Sequence, residues 1–146
     1  MRSSIVAVAM AAACALAPAW AGVRVGGGIA EEHGGEEAPV ATLAWLGEQR
    51  HPWEVMVGHI GRREDARIEE SWFFALSKRL TWNRWFVSGG LAWANVDNDI
   101  LSGHTQFMTA GGYDFGRVAL SLRHMSNAGI EGRNRGETFL LVEVGF

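Results

Sequence analysis

Cysteine is nearly missing from this chain: the single one, Cys14, lies within the first 21 residues. The remainder can therefore form neither a disulfide framework nor a thiol nucleophile. Proline is also scarce, with three in 146 residues, so extended Pro-rich linkers are excluded. Beyond the N-terminus no stretch approaches the run of about 18 apolar residues that marks a membrane-spanning helix, which excludes a helical membrane protein. Positive charge is in deficit, 13 basic against 16 acidic side chains, and that balance argues against nucleic acid as a partner. Two further signals are lacking. His51, His59 and His104 show no metal-ligand spacing with one another or with acids, and Gly26-Gly27-Gly28 sits within a strand pattern rather than in a nucleotide-binding loop.

What is present begins with a leader. Residues 1–21 carry one positive charge, Arg2, an apolar run from Ile5 to Leu16, and the small-x-small ending Ala19-Trp20-Ala21. That is the pattern of a secretory signal peptide. Ala11-Ala12-Ala13 before Cys14 makes only a poor lipoprotein signal. Cleavage after Ala21 leaves one domain, residues 22–146, and loss of Arg2 moves the formal charge from −3 to −4.

That domain is rich in Gly, Trp and Phe and falls into short alternating segments, as an all-β chain does. Eight are counted: Gly22 to Ala30, Val40 to Leu46, Trp53 to Ile60, Ser71 to Lys78, Trp85 to Ala94, Thr105 to Asp114, Arg117 to Ser126 and Glu137 to Phe146. Strand side chains alternate with a period of two. One face of each segment is apolar with aromatics toward its ends, as in Trp85, Val87, Leu91 and Trp93. The other carries Gly, Ala and Ser together with Arg24, Glu54, Arg123 and Glu143, which can pair inside a narrow barrel. Eight is the smallest strand number for a membrane barrel filled by its own side chains. The expected fold is an eight-stranded antiparallel transmembrane β-barrel, with a soluble sandwich or lipocalin-like barrel as the rival. Phe146, Val144, Val142 and Leu140 alternate back from the final residue, as in the terminal strand of bacterial outer-membrane barrels.

Long or charged connections, 31–38, 61–70, 95–104 and 127–136, alternate with short ones, the pattern of external loops and periplasmic turns. Arg62, Arg63, Arg67, Arg133 and Arg135 fall in these loops, chiefly as solubilising charge, with a grip on lipid phosphates as the lesser alternative. The acidic run Glu31 to Glu37 reads as a solvated loop.

In the seventh segment Val118, Leu120, Leu122, His124 and Ser126 share the lipid face, and the last two reach the outer rim. A histidine and a serine at i and i+2 are close enough for the imidazole to take the hydroxyl proton, which turns a weak nucleophile into an acyl-attacking one. The following Asn127-Ala128-Gly129 can turn N–H groups toward an oxyanion. Taken alone, His-x-Ser is a weak signal, and its spacing fits a girdle histidine and a strand-ending serine better than a catalytic pair.

The stretch Arg123-His124-Met125-Ser126-Asn127-Ala128-Gly129-Ile130, with Asn134-Arg135-Gly136 downstream, resembles the active-site region of the PagL-type lipid A 3-O-deacylases. The resemblance implies an outer-membrane hydrolase that releases the acyl chain ester-linked at the 3-position of lipid A, with lipopolysaccharide as substrate and no metal or cofactor. It implies Ser126 as nucleophile, His124 as general base, and Asn127 and Gly129 as the lining of the oxyanion hole. The family's acid stands early in the last strand, where an ungapped reading places Thr138. Glu137, one position earlier, is expected to serve if a bulge at Gly136 re-aims it, with Glu131 in reserve. The alternatives are a non-catalytic structural or binding barrel and an outer-membrane phospholipid esterase.

Overall fold

The computed structural model describes residues 22–32, 35–63 and 69–146. Residues 1–21, expected to be a signal peptide, lie outside the described residues, as do His33 and Arg67. Eight strands run β1 Val23–Glu32, β2 Glu37–Leu46, β3 Trp53–Ile60, β4 Ser71–Trp82, β5 Trp85–Ala94, β6 Thr105–Asp114, β7 Val118–Ser126 and β8 Glu137–Gly145. Each pairs antiparallel with the next, and β8 pairs with β1 to close the barrel. No helix occurs among the described residues. At the end that holds both termini the connections are short. Asn83 enables the two-residue turn between β4 and β5 by taking φ 55°, a left-handed conformation that asparagine tolerates.

Alternation decides which side chains face out. Val25, Ile29, Leu43, Val57, Leu76, Val87, Leu91, Leu120, Leu122, Leu140 and Val142 are all exposed, the inverse of a soluble protein. An apolar wall on this scale needs lipid against it. Aromatics flank it: Trp45, Trp53, Trp82 and Trp85 at the termini end, and Trp72, Phe74, Trp93 and Phe107 at the loop end. His59 packs on Trp72 and His104 on Trp93, with ring centroids 4.5 and 5.6 Å apart, so both histidines belong to the loop-end girdle. The rival soluble barrel would have turned this wall inward.

Inside, space is tight enough that glycine is required opposite the largest rings. A Cβ at Gly58 would stand 2.1 Å from the Phe73 ring, and one at Gly112 would stand 2.4 Å from that of Phe86. Phe73 in turn stacks on Phe139 at 5.4 Å. Nearer the termini end, two arginines and two glutamates form a buried, charge-balanced cluster. Arg123 meets Glu54 at 2.6 Å and Glu143 at 2.8 Å, while Arg79 meets Glu54 at 2.5 Å. Arg79 also lies over the Phe86 ring at 3.8 Å.

Three expectations need correction here. Of the four inward charges expected to pair with one another, Arg24 stays apart from Glu54, Arg123 and Glu143 and bonds Asp114 at 2.5 Å, because it lies opposite Gly145, two residues below Glu143. The fourth strand continues past Lys78 to Trp82, and this extension brings Arg79 inside. Finally, the acidic run is not a loop throughout: β1 extends to Glu32 and β2 starts at Glu37, with Glu31 opposite Glu37.

Candidate active site

His124 and Ser126 end β7 at the loop end, on the outward face that carries Val118, Leu120 and Leu122. The register sets Thr109 of β6 on one side of His124 and Thr138 of β8 on the other. Nδ1 of His124 is 3.1 Å from Oγ1 of Thr138, within hydrogen-bond reach. This bond turns the other ring nitrogen, Nε2, toward Gly136. A Cβ at Gly136 would stand 3.0 Å from Nε2 and 3.0 Å from Cβ of Ser126, so those two atoms lie within twice that distance of each other. The imidazole edge and the serine thus border the same small space, kept open by a glycine with φ 74°.

The floor of that space is a knot of two loops. Asn127, 4% exposed, donates its amide N–H groups to the carbonyl oxygens of Ser102 at 2.7 Å and Glu131 at 2.6 Å, and its Oδ1 accepts from the N–H of Gly129 at 2.9 Å. Gly136 N–H donates to Ile100 O at 2.9 Å, and Asn134 donates to Gln106, which itself holds the carbonyls of Ser102 and Gly103. Ala128 and Gly129 both adopt positive φ, 57° and 75°, the tight turn that lets Asn127 reach under the loop. The Asn127 amide and the Gly129 N–H, expected to line an oxyanion hole, are here engaged in holding the loops together.

The family model for lipid A 3-O-deacylase (PagL) matches residues 38–146. The chain belongs to the PagL family. Among solved structures it is similar to that of the outer membrane enzyme PagL, with 16% identity, a TM-score of 0.54, and coverage of 84% of this chain and 99% of that one. At that identity the likeness speaks for the fold. No curated protein matches the chain.

Within this PagL-family barrel the placement of Glu137 differs from expectation. No bulge intervenes at Gly136: Met125 pairs with Glu137 and His124 with Thr138 in unbroken register. A residue adjacent to an outward one must point inward. Glu137 is 2% exposed inside the barrel, where Nη2 of Arg63 reaches its two carboxylate oxygens at 2.6 and 2.7 Å. It therefore does not stand behind His124. Glu131 is part of the loop knot, with its carboxylate beside Gly103.

Arg63, expected among solubilising loop arginines, is instead buried and also donates to the carbonyl of Glu36 at 3.0 Å. Nothing in its local sequence signalled this, since it lies just past the last alternating residue of β3. Arg62 and Arg133 are exposed, as loop arginines should be, and Arg135 is 3.5 Å from Glu32. His51 accepts the backbone N–H of Thr81, at the opposite end of the barrel from the site. No group of three or more metal-ligating side chains occurs among the described residues.

Proposed function

We propose that this PagL-family protein sits in the bacterial outer membrane and hydrolyses the ester that holds the acyl chain at the 3-position of lipid A, with Ser126 as nucleophile and His124 as general base. The carrying observation is the imidazole held at Nδ1 by Thr138, with Nε2 beside Ser126 across the gap at Gly136. An unassisted hydroxyl is a weak nucleophile, and a neighbouring imidazole with a free Nε2 lone pair removes that weakness. Ser126 Oγ attacks the acyl carbonyl carbon while Nε2 takes its proton. The tetrahedral oxyanion collapses, the C–O bond to the sugar breaks, and the imidazolium returns the proton to the departing alkoxide. Water, deprotonated by His124, then cleaves the acyl-serine and frees the fatty acid.

The oxyanion is assigned to the backbone N–H groups of Asn127 and Ala128, since the Asn127 side-chain amide is spent on the loops and the Gly129 and Ile130 N–H groups are bonded to Asn127. The site opens to the lipid side, where an ester buried at the top of a leaflet would meet it without leaving the membrane. Its location supports this substrate class: the serine stands above Leu122 and Leu120 on the apolar wall, at the loop end of the barrel.

The test is kinetic. Ser126→Ala and His124→Ala should each abolish nearly all turnover of lipopolysaccharide, and the double variant should be little worse than either, because groups that act as a unit are not additive. Substantial turnover by Ser126→Ala would remove the serine mechanism.

A further inference from the structure

A threonine hydroxyl is ambiguous behind a catalytic imidazole. It can accept a proton from Nδ1–H, which leaves Nε2 free to act as base. It can equally donate to Nδ1, which puts the ring proton on Nε2 and disables the base toward Ser126. A carboxylate has no such ambiguity, because when ionised it only accepts. Thr138 therefore needs a partner for its own proton, and β8 supplies none on that face: the next outward residue is Leu140.

The partner stands on the next strand. Thr138 is directly opposite Glu31 of β1, and Glu31 shares the outward face with Val25 and Ile29. Residues directly opposite have their Cβ atoms about 4.5–5.5 Å apart, a gap that a glutamate side chain spans easily. The extension of β1 to Glu32 makes this pairing possible. One row across three strands thus reads His124, Thr138, Glu31. The carboxylate of Glu31 is exposed and carries no hydrogen bond or ion pair among the described residues. Glu37, opposite Glu31 on β2, is one strand farther out and too distant from Thr138 to substitute.

We propose that Glu31 is a positioning residue that acts on His124 through Thr138. Nδ1–H of His124 donates to Oγ1 of Thr138, and a rotation of the Glu31 side chain, which makes no hydrogen bond among the described residues, brings its carboxylate within reach of the Thr138 hydroxyl to accept that proton. This fixes the tautomer that leaves Nε2 unprotonated in the resting enzyme, and it places a negative charge two hydrogen bonds from the imidazolium that forms during attack. The proposal rests on the serine–histidine reading above.

The experiment compares full-length protein in detergent or lipid micelles, wild type against Glu31→Gln, Thr138→Val, Thr138→Ser, the Glu31→Gln/Thr138→Val double variant and Glu37→Gln. kcat and KM on lipopolysaccharide are measured together with the imidazole tautomer from nitrogen-15 chemical shifts of labelled histidine. Thr138→Val should lower kcat about 100-fold, the lower end of what general acid–base groups contribute, and Glu31→Gln by about tenfold, both with KM unchanged. Thr138→Ser should retain most turnover, the double variant should match Thr138→Val, and Glu37→Gln should match wild type. The His124 proton should be on Nδ1 in wild type and redistribute toward Nε2 in Glu31→Gln. Wild-type kcat and tautomer in Glu31→Gln would overturn the relay while leaving Ser126 and His124 in place. Full turnover in Ser126→Ala, run in the same series, would overturn the mechanism beneath it.

Discussion

A methyl group at position 136 would stand 2.8 Å from Cε1 of His124 and 3.0 Å from Cβ of Ser126, on a backbone whose φ is 74°. Gly136→Ala should therefore remove most turnover, because the methyl fills the space through which the serine proton passes and an L side chain is strained at that φ. The barrel should persist, since the residue lies between strands. An active, folded Gly136→Ala enzyme would show that Nε2 and Ser126 do not meet there. At Glu137 the opposite outcome is expected. Its carboxylate faces Arg63 in the interior, so Glu137→Ala should keep turnover within a few-fold of wild type while destabilising the fold by about 3–5 kcal/mol, the cost of leaving a buried charge without its partner. Activity and thermal melting measured on one preparation check both halves. Ser126, His124 and their face were legible in the sequence because alternation along a single strand sets them. The direction of Glu137 was decided by parity, which the sequence also carries, but only if the strand has no bulge, and a bulge leaves no unique residue signature. Arg63 and the Asn127 knot could not be read at all, since both depend on contacts between loops distant in sequence.

Strand ends were harder to place than strand centres. The charged pair Lys78-Arg79 looks like a boundary, yet Lys78 turns outward over the Trp53 ring at 5.1 Å while Arg79 turns inward to Glu54. The same effect hid the end of β1, where Glu31 and Glu32 continue the alternation with Glu31 out and Glu32 in. Charged residues end strands in soluble sheets more readily than here, where one face meets the headgroup rim and the other a polar interior. The interior cluster links β3, β4, β7 and β8 through Glu54, Arg79, Arg123 and Glu143. Glu143→Leu leaves two guanidinium groups with one carboxylate. It should lower the temperature of the heat-modifiable electrophoretic transition, with a loss of about 3–5 kcal/mol, and leave kcat unchanged because the cluster is remote from the loop end. An unaltered transition would mean that the cluster contributes no net stability.

On the scale of the whole molecule, a closed sheet leaves no unpaired edge, and its outer wall is apolar between two aromatic girdles. Both features are needed where no water is available to satisfy backbone groups. This architecture puts a serine and a histidine at the upper rim of a surface that only lipid can cover, which favours a membrane-embedded ester over a soluble one as substrate. The most direct measurement is the mass of lipid A recovered after lipopolysaccharide is incubated with purified wild-type protein and, in parallel, with Ser126→Ala. Wild type should remove one acyl chain, the ester-linked one at the 3-position, and Ser126→Ala should remove none. Unchanged lipid A in both samples, or release of chains from phospholipid instead, would contradict the proposed activity.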